Sequence, residues 1–177
     1  MLPMENISKI IEALGLIRHP EEGGFFRETY RSGESLPKSS LPGRYPSARS
    51  LGTAIYYLLD AHSCSALHRL RTDEIFHFYA GDPVVMLLLH PGGASERVRL
   101  GSRFLEGEHP QFVVPRGVWF GACLDEGGAW ALMGTTMAPG FEYEDYENAD
   151  IDSLAQAYPA EEELIRRLSL RSESREQ

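Results

Sequence analysis

Residues 67–81 read Leu67-His68-Arg69-Leu70-Arg71-Thr72-Asp73-Glu74-Ile75-Phe76-His77-Phe78-Tyr79-Ala80-Gly81, and the reading of this stretch decides the fold. Taken as strand, turn and strand, the period-2 alternation puts His68 and Leu70 on one face of the first strand. Glu74, Phe76 and Phe78 then share a face of the second. Turning both faces inward buries three large apolar side chains and brings His68 near Glu74. A carboxylate buried without a partner is costly, so the pairing is physically reasonable. His77 falls on the opposite face from Glu74 and is expected in surface or interface packing.

The flanking sequence has the same texture. Gly24–Tyr30, Gly52–Leu59, Ala66–Leu70, Glu74–Tyr79, Pro83–Leu89, Gln111–Val114, Val118–Leu124 and Ala129–Thr136 are rich in Val, Ile, Phe, Tyr and Thr. Gly81-Asp82-Pro83, His90-Pro91-Gly92-Gly93 and Asp125-Glu126-Gly127-Gly128 punctuate them. Short strands at this spacing, with no helix between them, predict an all-β sandwich or jelly-roll barrel. The missing crossover helices exclude a parallel doubly wound sheet. Helices are expected only at the ends. Ile7, Ile10, Ile11 and Leu14 form one apolar face, with Asn6 as N-cap and Gly15 as terminator. A second helix is expected from an Asp152 cap. A third follows Pro159, with Leu164, Ile165 and Leu168 on one face, and the residues from Ser169 onward are expected to fray. Ser32–Ser50 carries three prolines and no periodicity, and reads either as a lid or dimer arm or as plain disorder.

At 177 residues the chain fits a single domain, divided into an N-terminal helix (1–16), a β barrel (24–136) and C-terminal helices (150–170). The net charge of −9 opposes nucleic-acid binding, which needs a basic footprint. Seven of those negative charges fall in residues 141–177, read as a solvated helical face. No run reaches the length of a membrane span, and the N-terminus lacks the order of a secretory signal. Cys64 and Cys123 form no CxxC and read as core fillers in a cytoplasmic protein with reduced thiols.

His68-x-Leu70-x(3)-Glu74-x(6)-Gly81 resembles the first cupin motif, and Pro115-Arg116-Gly117-Val118-Trp119-Phe120 the second. Leu70 and Phe120 stand where those motifs carry metal-binding histidines, so His68 and Glu74 are the remaining donors. That is too few for a tight site, and no metal or other cofactor is expected. Glu22–Ser32, Asp73–Pro83, Val114–Ala122 and Ala138–Tyr146 resemble one cupin subfamily in particular, the cupin-5 group first catalogued as a domain of unknown function. The resemblance implies a jelly-roll cupin barrel (a double-stranded β-helix) with its helices packed outside. It also implies a homodimer that exchanges or abuts edge strands, and it implies no settled reaction.

His68 and Glu74 are the candidate catalytic pair. Phe76, Trp119 and Phe120 are candidates for the wall of a small-molecule pocket. Arg27 and Thr29 share a face of the first long strand and would bind an anionic group if that face is inward, which alternation leaves open. Three functions fit these residues. One is a metal-independent epimerase, isomerase or lyase on a small polar or sugar-like metabolite, using the His/Glu pair for proton transfer; cupin-fold sugar epimerases that need no metal make the fold compatible with it. The second is a pocket that binds without turnover. The third is a metal oxygenase or isomerase with a reduced ligand set.

Overall fold

The alternation along residues 64–137 builds two sheets, and the turn after Leu70 decides which strand belongs to which. In the computed structural model, which describes residues 4–169, helix α1 (Met4–Leu14) leads into β1 (Ile17–Arg18) and β2 (Phe25–Arg31). There follow β3 (Ser35–Leu36), β4 (Arg49–Ser50), β5 (Thr53–Asp60), β6 (Cys64–Leu70), β7 (Glu74–Gly81) and β8 (Val84–Leu89). Then come β9 (Ser95–Leu100), β10 (Gln111–Val114), β11 (Trp119–Leu124), β12 (Trp130–Met137) and β13 (Tyr146–Asn148). Helices α2 (Ile151–Ala157) and α3 (Glu162–Arg167) close the described chain.

One sheet has the order β1-β2-β5-β12-β7-β10, the other β13-β6-β11-β8-β9, and every ladder in them is antiparallel. The expected jelly-roll class is what the chain adopts. Strands β6 and β7 lie in different sheets, so Arg71–Asp73 crosses from one layer to the other rather than closing a hairpin. His68 and Leu70 still face Phe76 and Phe78, because both strands turn their apolar face to the same core. That core joins Tyr57, Phe76, Met133 and Met137 of one sheet to Leu70, Met86, Leu88 and Phe120 of the other.

The unbroken apolar run of β8 reflects burial on both faces. Val84, Met86 and Leu88 point between the sheets, while Leu87 and Leu89 lie under α2 and α3 with Leu154, Leu164, Ile165 and Leu168. Cys123 is buried in this outer cluster and Cys64 packs against it. The acidic tail therefore covers a sheet with its apolar stripe.

Some expected boundaries move. Helix α1 starts at Met4, which puts Asn6 inside it, and it stops at Gly15 with φ +60°. The cap of α2 is Asp150, whose carboxylate accepts from the Ser153 N–H (3.3 Å) and hydroxyl (2.8 Å); Asp152 instead pairs with Arg166. The expected fraying of residues 170–177 lies outside the described residues. Strand β9, Ser-Glu-Arg-Val-Arg-Leu, escapes a sequence reading because only Val98 and Leu100 are buried on this charged edge.

Residues 32–50 form an ordered arm. Ser35–Leu36 pairs with Arg49–Ser50, and Tyr45 is fully buried with its hydroxyl 2.8 Å from Thr72 Oγ1. Arg49, also buried, meets Asp145 through two bonds of 2.8 and 2.7 Å. These anchors dock the arm on its own barrel. Among the described residues, no helix is long and apolar enough to cross a membrane.

Candidate active site

Register across the six-stranded sheet puts Arg31, Thr53, Met137 and Glu74 in one row. The next row of the same face holds Glu28, Ile55, Thr135 and Phe76. All but the fully buried Phe76 line a cavity of about 310 Å³, closed on the far side by Leu70 and the Phe141–Tyr143 segment. A β-bulge between Glu28 and Tyr30 shifts the alternation by one residue, so Arg31 rather than Tyr30 joins Phe26 and Glu28 on the inner face.

The remaining lining groups, His19 and Glu22, come from the turn between β1 and β2. Gly23 and Gly24 take φ of +88° and +69° there. A Cβ on Gly24 would lie 2.7 Å from the Leu58 carbonyl, so glycine alone lets the turn press onto β5.

Hydrogen-bond chemistry fixes the protons of two histidines. His19 Nδ1 accepts from the N–H groups of Glu22 (2.9 Å) and Glu21 (3.2 Å), so its ring proton is on Nε2, which faces Glu22 Oε1 at 3.8 Å. His68 has the opposite tautomer. Its Nδ1 lies 2.7 Å from the Ala66 carbonyl, which can only accept, so Nδ1 carries the proton and Nε2 the lone pair. That Nε2 is fully buried, finds no hydrogen-bond partner among the described residues, and lies 3.7 Å from Glu22 Oε1. Glu22 thus stands between one N–H and one lone pair, each at a distance that a small side-chain movement closes.

Burial sets the charges. Desolvation raises the Glu22 carboxyl above its ordinary range, against the pull of His19. Glu74 is raised to about 8, first by burial and then by the charge of Glu22, while Thr135 pulls the other way. His68 is lowered to about 4 by burial, so it is neutral at physiological pH. Two carboxyls that sense one another in a shared low-dielectric cavity retain a proton near neutrality. At the mouth, Arg31 is held by Glu28 (2.9 Å) and Glu142 (2.7 Å).

Of the residues singled out from sequence, the structure brings Glu74 to the cavity and puts His68 directly behind its floor. Arg27 and Thr29 are on the outer face of β2, where the Arg27 guanidinium covers the Tyr56 ring at 5.5 Å and Thr29 bonds the Ala54 carbonyl. Phe76 and Phe120 are fully buried core, ring centroids 5.9 Å apart. Phe120 also packs at 4.2 Å against His68, whose other face is stacked on Tyr146 at 4.8 Å. Trp119 faces outward beneath the C-terminal helices, with Arg69 4.4 Å above it. The carboxylate that His68 Nε2 meets, at 3.7 Å, is Glu22 of the β1–β2 turn, a neighbour the sequence reading did not include.

Sequence reasoning missed Glu22, His19 and Arg31. The available signal was His19-Pro20-Glu21-Glu22-Gly23-Gly24, two titratable residue types directly before a double-glycine turn. Leu70 and Phe120 supply carbon where a cupin metal centre takes imidazole nitrogen. Among the described residues, no three His, Cys, Asp or Glu side chains are grouped to hold a metal ion.

The comparisons agree with this architecture. A family model described as cupin superfamily (DUF985) matches residues 8–149. The uncharacterized Saccharomyces cerevisiae protein YML079W is 30% identical over 152 residues, 81% of this chain and 75% of the yeast protein. The crystal structure of protein SO0799 from Shewanella oneidensis matches with TM-score 0.79 and 34% identity, covering 96% of this chain and 98% of the other. A hypothetical protein from Leishmania major matches with TM-score 0.79 and 29% identity, over 92% and 97% of the two chains. Bacillus subtilis oxalate decarboxylase, at 16% identity and TM-score 0.51, shares the fold over 37% of its length. The β1–β2 turn, both sheets and the cavity rows all fall within the matched residues, and the chain belongs to the DUF985 family of the cupin superfamily.

Proposed function

We propose that the chain is a metal-independent proton-transfer enzyme of the epimerase, isomerase or lyase type, acting on a small, neutral, sugar-like metabolite. The observation that carries this reading is the pair of carboxyls, buried Glu74 and largely enclosed Glu22, in one cavity of about 310 Å³, with Glu74 held protonated at neutral pH. The pair combines a carboxylate that takes a proton with a carboxylic acid that gives one. The carboxylate removes a proton from the carbon next to a substrate carbonyl, the C–H electron pair forms a carbon–carbon double bond as the carbonyl π pair moves onto oxygen, and the acid protonates that oxygen. Return of a proton to carbon, with loss of a hydroxyl proton to the carboxylate so that a carbonyl re-forms, completes an epimerisation or isomerisation.

His68 and His19 are positioning residues. The His68 lone pair and the His19 N–H face the same Glu22 oxygen at 3.7 and 3.8 Å, so one is placed to accept from a protonated Glu22 and the other to donate to an ionised one. Substrate charge follows from the lining. Four carboxyls (Glu22, Glu28, Glu74, Glu142) face one guanidinium, Arg31, that two of them already bind, and the walls are Phe26, Ile55, Met137 and Phe141. This suits a polar, uncharged molecule over an anion.

The test is solvent exchange. Neutral aldoses and ketoses are incubated with the protein in D2O and carbon-bound deuterium is followed by NMR. At least one sugar is expected to exchange, and Glu22→Gln and Glu74→Gln each lower the rate by roughly 10²–10⁴ while the melting curve stays cooperative. A sugar that binds without exchange would support the pocket as a binding module instead. Exchange that disappears on chelation would support a metal enzyme.

A further inference from the structure

Across the Leu70 side chain from the cavity lies a second depression, of about 280 Å³, lined by Arg44, Arg69, Arg71, Arg116, Gly117, Asp145 and Glu147. Four guanidiniums on one groove is unusual in a chain of net charge −9. Elsewhere the arginines are mostly spent on carboxylates: Arg31, Arg49, Arg97, Arg103 and Arg166 each have one within 3.0 Å. In the groove only Arg69 is spent this way, with two bonds to Glu147 of 2.8 and 2.7 Å.

The other three are held by neutral acceptors or by distant charge. Arg44 Nε donates to the Arg71 carbonyl at 3.0 Å, and Arg71 returns a bond of 2.7 Å to the Arg44 carbonyl. This reciprocal clamp engages both side chains through neutral carbonyls and spends neither guanidinium on a carboxylate at hydrogen-bond distance. Arg71 approaches Asp145 only to 3.8 Å, and that carboxylate is already bound twice by Arg49. Arg116 comes no nearer than 4.0 Å to Asp73, whose Oδ1 is engaged by the Arg116 backbone N–H at 2.8 Å. Gly117, at φ +76°, makes the turn that points Arg116 at the groove.

We propose that this groove is a binding site for a compact phosphate-class anion, either inorganic phosphate or the phosphate of a small monoester. Preorganised, planar, multidonor cations are what a tetrahedral dianion selects, since each additional N–H···O bond is charge-assisted. The dimensions suit one small group, and the overall negative charge works against polyanions. The inference is independent of the proton-transfer reading, because no arginine of the groove lines the cavity.

Calorimetric titration with inorganic phosphate and with methyl phosphate, at constant ionic strength set by chloride, tests it. Saturable one-site binding of either probe is expected. Tighter binding of the monoester assigns the site to a phosphate ester, and equal or weaker binding assigns it to the free anion. Arg116→Gln removes a guanidinium with no side-chain hydrogen bond, so the fold is retained, and binding weakens about tenfold or more; Arg44→Gln does likewise. Arg97→Gln deletes the same charge far from the groove and leaves binding unchanged. Absence of saturation with both probes, equal weakening by Arg97→Gln, or binding of heparin without binding of phosphate would each overturn the proposal.

Discussion

Single residues at the cavity floor tie stability to pH in opposite directions. Glu74 has its folded pKa raised from 4.5 to about 8, so between those values the unfolded chain releases a proton that the folded chain keeps. Stability from this group is full below about 4.5 and falls as pH rises to about 8. His68 is lowered from 6.5 to about 4, so the unfolded chain binds the extra proton between those values. Its contribution is full above about 6.5 and is lost as pH falls to about 4. Their opposition places maximal stability between about pH 4.5 and 6.5. Urea midpoints measured from pH 4 to 9 check this: Glu74→Gln should flatten the alkaline limb and gain a few kcal/mol at pH 8 relative to the parent. An alkaline limb of the same slope in Glu74→Gln would show that Glu74 ionises normally. At this scale the sequence was half legible. The offset from His68 to Glu74 marked one residue that lines the cavity and one that lies beside Glu22, but nothing local tells a reader that Glu22, from a turn some fifty residues away, lines the same cavity.

At the scale of elements, β2, β5–β8 and β10–β12 were readable because each alternates or carries a continuous apolar run, whereas the charged edge strand β9 does neither. The inner face of β2 was not readable, because the bulge at Glu28–Tyr30 breaks period 2 and moves Arg31 into the cavity while Arg27 and Thr29 stay outside. The arm of residues 32–50 was illegible for another reason. Its order comes from two long-range anchors, Tyr45 on Thr72 and Arg49 on Asp145, which leave no periodic trace. Removing Arg49 takes from the buried Asp145 carboxylate both of its guanidinium hydrogen bonds, at a cost of about 3–5 kcal/mol, whereas removing Asp145 leaves Arg49 its 2.8 Å contact with Glu144. Equilibrium unfolding of Arg49→Met should therefore show a loss of that order. The double variant Arg49→Met/Asp145→Leu should recover most of it, and no recovery would mean that the pair does more than compensate charge.

For the whole molecule, the two depressions that share Leu70 lie beside the Arg71–Asp73 crossing between the sheets. The cavity and the arginine groove lie on either side of Leu70, one carboxyl-rich and the other guanidinium-rich. The spacing of short strands and turns foretold the fold class, because that pattern repeats along the whole chain. It could not foretell this separation of charge, which depends on how β6, β13 and the arm converge. With Leu70 and Phe120 at two ligand positions, a chelator should leave the melting temperature unchanged and metal analysis should give substoichiometric values. Loss of one equivalent of metal together with a lowered melting temperature would contradict this. The proposed function requires Glu22 and Glu74 to share the cavity as an acid–base pair with Glu74 protonated at neutral pH. A 13C NMR titration of the glutamate carboxyls, assigned with Glu22→Gln and Glu74→Gln, reads this state on the groups themselves. A Glu74 midpoint near 8 is expected, falling in Glu22→Gln as the neighbouring charge is removed. A Glu74 midpoint near 4.5, unmoved by Glu22→Gln, would contradict it.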